Sequence, residues 1–199
     1  MGLLDEVALV SMMSASKGFY GECGKRGGYM ELTGMSPAVL DEVYKLASIN
    51  LSPNTSGQLT MATVMNPPQP GDPSWDTWVR ERDGIQASFK RRSEKLTQIL
   101  NSLEGVTCND ADGAMYVFPR VVFPPKFLAQ CEASGEKPEM VYCMGLLEET
   151  GIVSVPGMGF GQEPGTNHFR LTFLPPEDEM EEVAARISAY HAGFMDKHR

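Results

Sequence analysis

Apolar and polar positions follow one another in short blocks along this chain, and each block predicts an element. The run Val7-Ala-Leu-Val-Ser-Met-Met13 reads as a buried strand. A second strand-like run starts at Gly28 with Tyr29, Met30, Glu31, Leu32 and Thr33. Ser36 then offers a helix N-cap and Pro37 suits the first helical position. Val39, Leu40, Val43, Leu46 and Ala47 keep a helical period, which predicts a helix over about 37–50. The loop Leu51-Ser-Pro-Asn-Thr-Ser-Gly-Gln58 breaks it, and a short helix over about 56–65 follows. After the proline-rich break Asn66–Pro73, Asp72 is the expected cap of a long helix with Pro73 at its first position. Trp75, Trp78, Val79, Ile85, Phe89, Leu96, Ile99, Leu100 and Leu103 form one apolar stripe along that helix, which stops at Gly105.

From Val106 the pattern changes to short elements. Ala114 to Phe118 reads as a strand. Pro124–Ser134 and Pro138–Thr150 read as helices, the second closed by Gly151. Ile152 to Val155 is a short strand, Gly159 to Gly165 a loop, and His168 to Leu174 an alternating strand. Pro176 opens a last helix with Met180, Val183, Ile187, Tyr190 and Phe194 on one face. This half predicts an α+β arrangement, a mixed sheet with helices on one side.

Composition narrows the function classes. The chain has 199 residues, ordinary globular composition and a net charge of −9, without a basic block. That argues against a nucleic-acid partner, which leaves a basic footprint. No apolar run reaches the length of a membrane span. The opening Met-Gly-Leu-Leu-Asp-Glu-Val is acidic at once, so it does not read as a secretory leader. Cys23, Cys108, Cys131 and Cys143 are scattered without zinc spacing, and no metal site is expected.

The candidate chemistry lies between the first two strands, in Ser14-Ala-Ser-Lys-Gly-Phe-Tyr-Gly-Glu-Cys-Gly-Lys-Arg-Gly-Gly-Tyr29. Two serines precede Lys17, five glycines fall between Gly18 and Gly28 inclusive, and Arg26 stands nine positions after Lys17. A desolvated lysine is a nucleophile that forms a Schiff base with an aldehyde. Hydroxyls and a guanidinium suit a phosphate. One ligand with both groups is pyridoxal 5'-phosphate. By itself, Ser-x-Ser-Lys is a weak pattern, since most lysines are solvated surface charges.

That segment closely resembles the cofactor-lysine segment of the alanine aminotransferases, class I pyridoxal-phosphate enzymes of the aspartate aminotransferase fold. The resemblance continues through Gly113-Ala-Met-Tyr-Val-Phe-Pro-Arg120, Leu147-Glu-Glu-Thr-Gly151, Val155-Pro-Gly-Met-Gly-Phe-Gly-Gln162 and His168-Phe-Arg-Leu-Thr172, and so covers nearly the whole chain. It implies an α/β fold: the C-terminal part of a fold type I large domain over 1–90, with interface helices, and an α+β small domain over 91–199. It implies that Lys17 carries pyridoxal 5'-phosphate and moves the substrate proton. Ser14 and Arg26 are the expected phosphate ligands, with Ser16 a weaker one by strand alternation. The implied reaction is transamination between L-alanine and 2-oxoglutarate, giving pyruvate and L-glutamate.

Arg170 is the second chemical position. Alternation in its strand turns it away from Phe169 and Leu171. An arginine there is commonly one half of a surface ion pair, but its place matches the family's carboxylate arginine. A planar guanidinium fork holds a carboxylate with two parallel hydrogen bonds. His168 should face the same way. The resemblance also implies a much longer subunit, with most of the large domain ahead of the lysine strand and the groups that stack on and pair with the pyridine ring in that part. On this reading the chain alone lacks useful turnover, and the full-length protein is a homodimer in the cytoplasm, with the mitochondrion left open. Two other readings stand beside it: a different pyridoxal-phosphate enzyme, such as another aminotransferase or a carbon–sulfur lyase, and a non-catalytic interaction chain. An exposed apolar patch is the expected mark of a fragment or of an obligate partner.

Overall fold

Two strands, β1 (Leu9–Ser14) and β2 (Gly28–Thr33), pair antiparallel at the start of the computed structural model, which describes residues 7–199. The leader reading rests on the first seven residues, of which the first six lie outside the described residues. By compactness the chain divides between Trp78 and Val79. That division falls inside the long helix, nearer its N-terminus than residue 90.

In the first unit the hairpin is followed by α1 (Pro37–Ala47) and α2 (Thr55–Met65). Ser36 caps α1 as its sequence suggests, its Oγ accepting from the Val39 N–H at 3.5 Å. The expectation of a buried first strand is not met. Leu9 is 48% exposed and Met12 79%, and no residue of α1 is buried. A two-stranded ribbon with two short helices has too little apolar surface to close a core of its own. It leaves Tyr44, Leu46, Ile49 and Leu51 exposed as well.

Helix α3 (Trp75–Ser102) begins later than expected. Asp72 does not cap it with its side chain. Its carboxylate accepts from the Gln69 N–H at 2.7 Å and closes the preceding turn, while its carbonyl accepts from the Trp75 N–H.

The second unit, 79–199, is built on a short sheet. Its strands are β3 (Val106–Thr107), β4 (Tyr116–Val117), β5 (Arg120–Val121), β6 (Val155–Pro156) and β7 (Asn167–Thr172). All described pairings are antiparallel, not mixed. β4 and β5 lie along one edge of β7 in a single register, Tyr116 opposite Thr172 and Arg120 opposite His168. The Phe169 N–H donates to the Pro119 carbonyl between them. β6 covers the other edge, with Val155 opposite Arg170. The strand at 114–118 starts late because Ala114 sits at φ +59°, outside the extended region.

Helices α4 (Pro125–Ser134), α5 (Pro138–Thr150) and α6 (Met180–His198) bury one sheet face. Val117, Val121, Phe169 and Leu171 enter one core with Leu100, Phe127, Tyr142, Leu146, Ile187 and Phe194. The Arg91 guanidinium pairs with Glu177 ahead of α6 at 2.6 and 2.9 Å and, with Ser88, holds that carboxyl down at about 2.

One polar chain crosses the core. His191 is 1% exposed, and its Nε2 meets the Glu104 carbonyl at 2.8 Å. That contact puts the proton on Nε2, so Nδ1 accepts from the Tyr142 hydroxyl at 2.9 Å. Burial lowers the pKa of His191, and it is also the largest cause of the lowered values of His168 and His198. Below about pH 6.5 the unfolded chain therefore binds more histidine protons than the fold does, and stability is lost as pH falls. The urea midpoint of the 79–199 unit, followed by near-ultraviolet circular dichroism, is expected to be lower at pH 5.5 than at pH 7.5. An equal or higher midpoint at pH 5.5 contradicts this.

Candidate active site

The sequence-predicted residues stand in two places, one in each unit. In the first unit the β1–β2 ladder runs past the strand ends. Ser14 is opposite Gly28, and the Ala15 N–H donates to the Gly27 carbonyl at 3.1 Å. The next step of that ladder brings Ser16 and Arg26 to the same end of the ribbon. Ala15 is fully buried, and its carbonyl accepts from the Glu22 N–H at 2.8 Å, which closes the loop carrying Lys17. Because β1 ends at Ser14, strand alternation does not apply at Ser16 and Lys17 and does not turn the two apart. The Ser16 N–H donates to the Ser14 Oγ at 3.1 Å, so the two serines form one turn.

Lys17 is exposed and has no hydrogen bond or ion pair among the described residues. Burial beside small residues, expected from the sequence, is therefore not seen at its amine. Arg26 occupies the left-handed region at φ +54°, a conformation that costs a non-glycine residue about 1–2 kcal/mol. Its Nη1 donates to the Cys23 carbonyl at 2.8 Å, and its other donors have no partner among the described residues.

Helix α2 holds this strained loop. The Asn54 Nδ2 donates to the Lys25 carbonyl at 2.6 Å. A Cβ on Gly57 would lie 2.7 Å from the Lys25 carbonyl oxygen and 2.9 Å from that of Arg26. A Cβ on Gly27 would lie 2.7 Å from the Gly57 oxygen. Loop and helix thus meet backbone to backbone through two glycines. A primary amine, two hydroxyls and an under-used guanidinium thus belong to one loop and the strand ends that bear it. That donor set fits an aldehyde that bears a phosphate.

The second place is the outer face of β7. Phe169 and Leu171 point into the core, at 1% and 4% exposure, so His168 and Arg170 point out of it. The Arg170 guanidinium lies 4.4 Å from the Tyr116 ring centre and 4.9 Å from that of Phe160. These are cation–π distances. No carboxylate pairs with it among the described residues. Phe160 meets Phe118 edge to face at 5.5 Å, and Phe118 stacks on the His168 ring at 4.8 Å and 3°. Arg170 is therefore cradled by rings while its hydrogen-bond donors stay available, as a carboxylate receptor requires. Tyr116, Phe118 and Phe160 were not singled out from the sequence. The alternation Met115 in, Tyr116 out, Val117 in, Phe118 out carried the signal for the first two.

No protein-family model matches the chain. Alanine aminotransferase 2, mitochondrial, from Arabidopsis thaliana is 53% identical over 194 residues, 98% of this chain and 36% of that relative. The chain is homologous to the alanine aminotransferases. Glutamate–glyoxylate aminotransferase 1 from the same plant is 48% identical, over 97% of this chain and 40% of its own length. The chain thus spans well under half the length of these curated relatives. The solved alanine aminotransferase of Pyrococcus furiosus is 28% identical, with a TM-score of 0.71 over 94% of this chain and 43% of that one. The fold is accordingly that of the fold type I aminotransferases, in its α/β C-terminal portion.

Substituting Gly57→Ala should push α2 off the 25–27 loop and cost about 1–3 kcal/mol, the range for overpacking. Hydrogen exchange at residues 25–28 is expected to accelerate with it. Unchanged protection there would show that the close approach does not hold the loop.

Proposed function

We propose that this chain supplies the lysine and the carboxylate arginine of an alanine aminotransferase, which moves an amino group between L-alanine and 2-oxoglutarate. The observation that carries the reading is Arg170, held over the Tyr116 and Phe160 rings with no carboxylate partner among the described residues. The 53% identity to an alanine aminotransferase supports it.

On this reading Ser14, Ser16 and Arg26 hold the cofactor's phosphate, and Lys17 holds its aldehyde carbon. Bound there, pyridoxal 5'-phosphate supplies the electron sink for the reaction. Once the substrate amino group has taken its place on that aldehyde carbon, the released Lys17 Nζ would serve as the base that takes the proton from the substrate Cα. Arg170 binds the α-carboxylate, which amino acid and oxo acid share, so one residue serves both half-reactions. The exposed apolar positions of β1 and α1 pack, we propose, against the remainder of a longer subunit that forms a homodimer. The chain alone then lacks useful turnover, because it holds only part of the site. Among the described residues no helix is long and apolar enough to cross a membrane.

The 48% identity to a glutamate–glyoxylate aminotransferase favours a second reading, in which glyoxylate is an amino acceptor. Both readings need the same arginine.

In the complete enzyme, Arg170→Lys keeps the charge but loses the fork. It should raise the KM for alanine and for 2-oxoglutarate together, by about tenfold to a hundredfold, the range for a lost charged hydrogen bond. A rise for one substrate alone contradicts a shared carboxylate site. Comparing kcat/KM for pyruvate and glyoxylate with glutamate as donor separates the two readings.

A further inference from the structure

The second unit contains a buried acid that this chemistry does not use. Glu139 is 4% exposed, in the first turn of α5. Its Oε1 accepts from Gln162 Nε2. The other end of the same amide, Gln162 Oε1, lies 3.0 Å from His168 Nδ1. Since the amide nitrogen faces the carboxylate, its oxygen must accept, and His168 carries its proton on Nδ1. The Thr166 hydroxyl donates to the Glu163 carbonyl and turns its oxygen to the same Nδ1 at 3.4 Å. His168 Nε2 is left unprotonated.

Gln162 follows the turn that carries Phe160. That turn sits hard against β7 at Gly157, where a Cβ would lie 2.5 Å from Gln162 Oε1 and 2.6 Å from the His168 carbonyl oxygen. From His168 the contacts run through rings to the guanidinium: His168 on Phe118, Phe118 on Phe160, Phe160 under Arg170. The charged groups around His168 are Glu139 from α5, Arg120 directly across the strand pair, and Arg170 on the same strand. Burial and Arg120 both keep the imidazole neutral against the pull of Glu139. A neutral ring is the form that stacks flat on Phe118 without adding a third positive charge to this face.

We propose that Gln162 is a positioning residue: its amide bridges the buried Glu139 carboxylate to the His168 imidazole and so fixes the ring cradle that aims Arg170. This rests on the reading of Arg170 as the carboxylate receptor. The bridge fixes three things at once: the imidazole tautomer, the ring plane of His168, and the turn that sets Phe160.

Two measurements test it. In the complete enzyme, Gln162→Leu and Glu139→Leu should each raise the KM for amino acid and oxo acid in parallel, by about three- to thirtyfold, with kcat changed much less. Glu139→Gln keeps an acceptor oxygen for Gln162 Nε2 and should restore KM to within about twofold of the parent. If Glu139→Gln is as impaired as Glu139→Leu, the charge matters and the bridge does not. In the 199-residue chain, the imidazole nitrogen-15 shifts at pH 8 should show His168 protonated on Nδ1, and Gln162→Leu should shift the proton toward Nε2. The same tautomer in both chains overturns the bridge, whatever the kinetics. If Arg170→Lys raises neither KM, the carboxylate reading fails, and the nitrogen shifts still judge the bridge. If Arg170→Lys raises both and Gln162→Leu raises neither, the positioning role alone is wrong.

Discussion

Strand β7 divides its two faces between the core and the candidate site, and the second unit depends on its register. Phe169 and Leu171 fill the core, while His168 and Arg170 face away from it. The strand is paired along both edges, so its register is set from two sides. A slip of one residue would drive Arg170 into the core and expose Phe169. An unpaired guanidinium there would cost several kcal/mol. The same contacts that make the fold stable therefore place the guanidinium on the outer face.

The first unit solves its placement problem differently. It has almost no buried core, so packing cannot aim its side chains. Position there comes from the backbone: the ladder from Ser14 through Ala15, the Asn54 contact to Lys25, and two glycines in close approach. Those contacts hold Arg26 in a left-handed conformation that the chain would not adopt unaided. The exposed apolar side chains beside them are consistent with a unit made to be covered.

Much of this was legible in the sequence, and the rest fails for physical reasons. Helix α5 keeps the bounds that Pro138 and Gly151 suggest, because a proline start and a glycine stop are local signals. The outward turn of His168 and Arg170 follows from period two alone. β3 and β5 have two residues each, too few for any periodicity. Apolar Val7–Met13 reads as buried because pattern reports affinity for a core, not whether a core is present. Asp72 has the right chemistry for a cap but spends it on its own turn. The Glu139–Gln162–His168 bridge spans 29 positions and joins residues that look unremarkable singly, so it is visible only in three dimensions.

The central claim is that Lys17 is the residue that takes the cofactor aldehyde, and reductive trapping tests it most directly. The complete enzyme loaded with pyridoxal 5'-phosphate is reduced with borohydride, digested and mapped by mass. The account predicts a pyridoxyl group on Lys17, absent in Lys17→Ala. A pyridoxyl group on another lysine, with Lys17 unmodified, would contradict it.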